Sequence, residues 1–344
     1  MTPSPDADPD LVRHSIDVIA GNQSRSGAYV ACPSFPQYHF CWFRDASFAA
    51  RAMDVAGRDD SARQFHDWAA RTILAAVDGG GEPGERLRAR YRLDGTPAAE
   101  SWPDCQLDGF GTWLWAVAEH AALGGEAPDR WLEAAAVVER YLTARWSLPC
   151  YDCWEESPSE IHVSTLGAIH AGLRGSDALL GHDTGDTRVA ILETIESRGV
   201  VDGRLAKSLG RDEVDASLVA LGVPYRVFDP AGTVMTATVA AIEHDLVDDS
   251  GVHRYRADTF YGGGRWVLLT AWLAWHYRIT GDLERAQRLL DWVEAQADDK
   301  LDLPEQSVTR LNDPERLAYW VAEWGPVATP LLWSHAMYLL AVLS

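Results

Sequence analysis

Residues 108–156 read DGFGTWLWAVAEHAALGGEAPDRWLEAAAVVERYLTARWSLPCYDCWEE. Apolar residues recur at helical spacing from Asp108 to Ala122 and again from Pro128 to Trp146, and a short polar turn, Gly124-Gly125-Glu126, joins the two runs. The second run leads into a different kind of connection. Tyr151-Asp152-Cys153-Trp154-Glu155-Glu156 is an aromatic and acidic loop, after which helical spacing resumes over Val163 to Leu173. A carboxyl held against an aromatic face loses hydration, and a neighbouring carboxylate adds to the effect; both favour the protonated form that a general acid needs. A Glu-Glu pair in an acidic protein is also ordinary surface charge, so this loop alone decides nothing about chemistry.

The same alternation runs outward in both directions. Helical spacing predicts a short helix over Leu11 to Ile19, one over Arg44 to Ala56, and one capped by Asp60 that carries Ala62, Phe65, Trp68, Ala69, Ile73 and Leu74. Asp186 to Ser197, Asp215 to Leu221, Thr233 to Leu246, Trp266 to Ile279, Asp282 to Ala297 and Thr329 to Leu343 complete a set of about twelve, with few convincing strands. Gly57-Arg58-Asp59-Asp60 and Thr280-Gly281-Asp282 are short turns with helix-stop and N-cap chemistry. The remaining connections are long and rich in Trp, Tyr, Gly, Arg, Asp and Glu; Gly79 to Pro97 is glycine-rich, with Tyr91-Arg92-Leu93 extended. The pattern predicts an all-α fold of helical hairpins in a ring, with the long loops on one face, where sites sit on a rigid scaffold. No linker or low-complexity segment divides the 344 residues, so we expect a single domain over 1–344 with residues 1–9 a flexible tail.

Composition narrows the function. A net charge of −21 argues against nucleic acid and against anionic membranes, so the expected partner is a small neutral substrate, with no obligatory protein partner evident. Five cysteines in no disulfide framework suggest a reducing compartment, and Cys150 and Cys153, though spaced C-x-x-C, lack a thioredoxin-like context. The amino terminus has no basic and apolar leader pattern and no run is long enough to span a bilayer, so cytoplasmic is the expectation. The eleven histidines show no metal spacing, and neither a cofactor nor a metal is expected. Only Lys207 and Lys300 among thirty basic residues are lysine, a bias we assign to genome composition.

The long loops carry five clusters. Tyr38-His39-Phe40-Cys41-Trp42-Phe43-Arg44-Asp45 places a donor and an acceptor side by side, suited to vicinal hydroxyls or to a plain ion pair at a helix start. Trp102-Pro103-Asp104-Cys105-Gln106-Leu107-Asp108-Gly109 offers a ring for stacking and polar contacts, although Asp108 taken alone reads as an N-cap. The Trp-Glu-Glu loop is third. Arg254 to Trp266 is fourth; its triple glycine lacks the G-K-[ST] ending of a phosphate loop and reads as close backbone approach before a helix. Leu303-Pro304-Glu305-Gln306 is fifth, followed by Trp320, Trp324 and Trp333.

In order and content these clusters resemble glycoside hydrolase family 15, the glucoamylase-like enzymes, from about Tyr38 to Met337. The matching patterns are Tyr38, Trp42, Arg44 and Asp45; Trp102, Gln106, Asp108 and Gly109; Asp152, Trp154, Glu155 and Glu156; Arg254 to Trp266; Leu303 to Gln306; and Pro330 to Ala336. The resemblance implies an (α/α)6 barrel and an inverting, exo-acting α-glucosidase. It implies Glu155 as general acid, Glu305 as general base and Tyr38 as an assisting residue near the water. Arg44, Asp45 and Arg254 would hold the terminal glucose, Glu156 and Trp102 the next position, with Trp42, Asp108, Trp154, Phe260 and Trp266 completing the substrate site. Many members carry tyrosine where this chain has Phe260; without that hydroxyl Tyr38 is either freer to take part in proton transfer or less ordered. No β-sandwich and no starch-binding module is apparent, so the chain is similar to short single-domain members, some acting on isomaltose and short α-1,6-linked oligosaccharides. Inversion requires the two carboxyls to stand roughly 6.5–9.5 Å apart, with β-glucose as first product. Glucoamylase-type α-1,4 activity, a trehalase of the same family, or a non-catalytic sugar-binding protein are the rivals; retention of both Glu155 and Glu305 speaks against the last.

Overall fold

Burial sorts the helices of the computed structural model, which describes residues 7–78, 87–124 and 127–344, into two sets. Helices α2 (Phe43–Val55), α4 (Asp108–Gly124), α6 (Val163–Leu180), α9 (Val267–Thr280) and α12 (Leu332–Leu343) are buried on most of their circumference, α12 entirely. Their apolar residues run all round the helix, which is what an interior helix requires. Helices α1 (Pro9–Gly21), α3 (Asp59–Val77), α5 (Asp129–Arg145), α7 (Gly185–Thr194), α8 (Thr233–Leu246) and α10 (Leu283–Glu294) bury less. In α10 the buried residues are Ala286, Leu289, Leu290 and Val293, a single stripe at i, i+3, i+4 and i+7.

The inner set closes on itself. Helix α2 packs on α4, α4 on α6, α6 on a buried 3-10 helix at Ala216–Leu221, that segment on α9, α9 on α12, and α12 back on α2. Six inner and six outer segments alternate along the chain, the (α/α)6 barrel that the hairpin pattern and the resemblance led us to expect. The tightest crossing joins α4 and α6, where a Cβ on Gly172 would sit 2.5 Å from the carbonyl oxygen of Gly111. Only glycine lets those backbones meet.

Several boundaries move. Asp8 accepts hydrogen bonds from the N–H groups of Asp10 and Leu11 and Pro9 opens α1, so the expected tail does not reach residue 9; residues 1–6 lie outside the described residues. Asp60 does not cap α3, which begins at Asp59; it lies in the first turn, where its charge meets the positive end of the helix. The last helix starts at Leu332 rather than Thr329. Parts of the expected turn at 124–126 and of the loop at 79–97 also fall outside the described residues. One helix was not anticipated: α11 (Pro314–Trp324) has no buried residue and lies between α10 and α12 in the chain.

Short strands tie the long loops together: β1 (Cys41–Trp42) with β2 (Arg90–Tyr91), β3 (Val200–Val201) with β4 (Arg204–Leu205), and an antiparallel sheet of β5 (Val247–Asp248), β6 (Gly251–His253), β7 (Arg265–Trp266) and β8 (Gln306–Ser307) in that order. Pairing of Trp266 with Gln306 brings the fourth and fifth clusters together. A Cβ on Gly264 would lie 2.0 Å from the carbonyl oxygen of Ser307, so the glycine run serves the close backbone approach its sequence suggested. No helix among the described residues is long and apolar enough to cross a membrane.

Candidate active site

The long loops converge on one cavity of about 360 Å³. Of the expected site residues, Tyr38, Trp42, Arg44, Asp45, Trp102, Trp154, Glu155, Glu156, Arg254, Phe260, Trp266 and Glu305 all line it. Asp108 does not. It is buried behind Arg44, whose Nη1 lies 3.2 Å from Asp108 Oδ2, and it neither lines the cavity nor acts as a simple cap.

Arg44 and Asp45 open helix α2. The Arg44 guanidinium donates from Nη1 to Gln106 Oε1 at 2.8 Å, its Nε lies 3.3 Å from Asp45 Oδ2, and the Trp333 ring lies 5.2 Å away. Burial pushes the Asp45 carboxyl up to about 6 against the pull of Arg44. Arg254 is fixed by a bidentate pair to Asp258, at 2.8 and 2.5 Å, inside a box formed by Trp154, Phe260 and Trp266. Both arginines are therefore charge-paired and rigid before any ligand arrives.

The Trp154-Glu155-Glu156 loop is wound round one carboxylate. Asp152 Oδ1 accepts the backbone N–H groups of Trp154 at 3.0 Å and Glu156 at 2.8 Å. Glu155, between them, sits at φ 69°, a left-handed conformation that non-glycine residues rarely adopt and that marks strain held by its surroundings. Its Oε1 accepts from Trp42 Nε1 at 2.7 Å and from Gln106 Nε2 at 2.9 Å. The sequence led us to expect Trp154 and Glu156 to act on Glu155; the structure gives them other partners. The Trp154 indole donates to Asp215, and Glu156 accepts from the Tyr255 hydroxyl and from Arg254 Nη2 at 3.3 Å.

The Leu303-Pro304-Glu305 loop is held by neutral groups. Leu303 N–H donates to His335 Nε2 at 3.0 Å, Ser334 Oγ donates to the Pro304 carbonyl at 2.8 Å, and Glu305 N–H and C=O pair with Ala328 and Val267. Burial pushes His335 down to about 3, so it is neutral, accepting at Nε2 and donating from Nδ1 to Ser15 Oγ at 2.9 Å. Glu305 is only 3% exposed, and burial pushes its carboxyl up to about 8; Arg254 and the Tyr38 hydroxyl pull it down, while the charges of Asp45 and Asp258 add to the rise. Glu305 Oε2 and the indole N–H groups of Trp102, Trp266 and Trp333 have no protein hydrogen-bond partner among the described residues.

Aromatic rings close the mouth. Trp324 stacks on Trp102 with ring centres 6.2 Å apart and meets Phe260 at 5.8 Å and Trp320 at 5.1 Å. Trp320 and Trp324 belong to α11 and were not among the expected site residues, although their i, i+4 spacing puts both rings on one helix face. Trp333, at the cavity floor, was likewise missed because α12 reads as a uniformly apolar core helix.

Comparison with known proteins agrees with this geometry. Residues 10–293 match the family described as Glycosyl hydrolases family 15. An isomaltose glucohydrolase of Kribbella flavida is 44% identical, over 96% of this chain and 91% of its own length. A glycosidase solved in complex with glucose superposes with a TM-score of 0.90 at 43% identity, over 96% of this chain and 95% of that one. A bacterial glucoamylase complexed with acarbose shares the fold, with a TM-score of 0.76 at 17% identity over 96% of this chain and 54% of its own.

Proposed function

The chain belongs to glycosyl hydrolase family 15, and from that membership we propose that it hydrolyses short α-glucosides of the isomaltose type from the non-reducing end, with inversion. One observation carries the reading: Glu155 and Glu305, remote in the chain, both line a single cavity that is also lined by two charge-paired arginines. Two carboxyls flanking one sugar are what glycoside hydrolysis needs.

Glu155 is the general acid. Its Oε1 already accepts two N–H groups, so a proton on the carboxyl sits on Oε2, and that oxygen donates to the glycosidic oxygen. Glu305, ionised, takes a proton from water on the opposite face of the ring, and Tyr38, beside it, assists at that water. The positive charge that develops on the ring is met by Asp45, while Arg44 and Arg254 hold hydroxyls. The α-1,6 preference is supported by the 44% identical relative named for isomaltose. A single catalytic domain acting in the cytoplasm is part of the same reading, supported by five free cysteines. The test is glucose release from isomaltose, isomaltotriose, maltose and trehalose. We expect isomaltose to be turned over fastest; faster release from maltose or trehalose would replace the linkage assignment, and release from none would point to a sugar-binding protein.

A further inference from the structure

One of the two lysines in the chain lies outside every role given above, yet it is buried directly beneath the acid loop. Lys207 is 7% exposed. Its Nζ lies 3.3 Å from Asp215 Oδ2, 3.5 Å from Asp152 Oδ2 and 3.5 Å from the centre of the Tyr255 ring. Each of those three neighbours touches the loop by a different route. Asp152 binds the two amides that bracket Glu155, Asp215 binds the Trp154 indole, and the Tyr255 hydroxyl donates to Glu156. Backbone bonds anchor the lysine itself: its N–H donates to the Glu213 carbonyl at 2.8 Å and its carbonyl accepts from Val163 at 3.0 Å, at the start of inner helix α6.

We infer that Lys207 is a positioning residue for Glu155: its ammonium bridges the Asp152 and Asp215 carboxylates, and through them holds the loop in the strained turn that aims the Glu155 carboxyl. Two buried carboxylates facing one site do not both stay charged without a counter-ion. Without the ammonium, Asp152 takes up a proton or turns away and binds the two amides more weakly. Glu155 then relaxes from the left-handed conformation, whose cost only the surrounding bonds offset. The loop that carries Glu305 is held by His335 and Ser334 through bonds that involve none of these residues. Loss of Lys207 therefore strikes leaving-group protonation and spares water activation.

The inference rests on Glu155 being the acid, and the experiment separates the two. Isomaltose needs a proton on its leaving oxygen; α-glucosyl fluoride does not, because fluoride departs as the anion. We expect K207M to lower kcat on isomaltose by about 10²-fold, the scale of a misplaced catalytic group, with turnover of α-glucosyl fluoride held within about threefold and K207R recovering part of the loss. Where K207M does not fold, K207M/D215N removes the ammonium and one carboxylate together and is expected to show the same substrate split. A parallel fall on both substrates, or no fall on either, overturns the role of Lys207. E155Q run alongside tests the premise: if it too loses both substrates equally, the assignment of the acid fails; if it spares the fluoride while the Lys207 variants do not, only the inference about Lys207 fails.

Discussion

The two loops that carry the proposed acid and the proposed base line the same cavity under opposite physical regimes. The acid loop is built on charge: Asp152, Lys207, Asp215, Arg254 and Glu156 form one network, and the Glu155 carboxyl at its tip is partly exposed and doubly hydrogen-bonded on one oxygen. The loop of the proposed base is built on backbone and neutral side chains, and the Glu305 carboxyl at its tip is almost fully buried, with one oxygen lacking a protein partner among the described residues. The difference matches the tasks. An acid must present one defined oxygen to a leaving group, and fixed donors on the other oxygen define it. A base must bind a water that arrives with the substrate, so its free lone pairs are the useful ones.

The largest expected effects come from the carboxyls themselves. E155Q and E305Q should each lower isomaltose turnover by about 10²–10⁴-fold, read as initial rates of glucose release; retention of wild-type rates by either would break the pairing. The burial of Glu305 next gives a pH prediction. Its folded value of about 8 stands above the ordinary 4.5, and the base works only when ionised, so the acidic limb of kcat/KM should lie well above the usual carboxylate range, toward about 8. The same shift fixes a sign for stability. A raised carboxyl contributes stability below about 4.5 that is lost as pH rises through about 8. E305Q, which never ionises, should therefore melt higher than the parent above pH 8, and the gap should close as pH falls toward 4.5. A constant gap in thermal melts would show that desolvation is not what sets Glu305 apart.

A smaller effect sharpens the contrast in how the loops are held. H335F leaves the buried Leu303 N–H without its acceptor and should cost about 1–3 kcal/mol, against about 1 kcal/mol for S334A; denaturant melts of both variants measure the order. The smallest effect concerns the mouth. W324A removes the ring stacked on Trp102 and should raise the ratio of isomaltotriose to isomaltose turnover several-fold. An unchanged ratio would remove α11 from the account of chain length.

Much of this was legible in the sequence because it depends on periodicity and on residue identity in loops. Alternating short and long connections announced the hairpin ring, and the order of the five clusters brought Glu155 and Glu305 into one site. What the sequence left hidden depends on side-chain direction. Nothing in Trp154-Glu155-Glu156 says that the Trp154 indole turns down to Asp215 while the distant Trp42 reaches Glu155. Asp108 reads locally as a cap, yet it is bound to Arg44 from a different hairpin. Lys207 lies in no motif and is placed by the barrel alone. Helix α11 was missed although Leu317, Trp320 and Trp324 stand at helical spacing and pack, partly buried, against the core.

In the proposed mechanism water attacks from the Glu305 side while Glu155 protonates the leaving oxygen on the other, and the anomer of the newborn product reports that directly. Proton NMR of isomaltose hydrolysis, followed from the first turnovers and before mutarotation, should show β-glucose appearing first from the non-reducing residue. α-Glucose as that first product would contradict it.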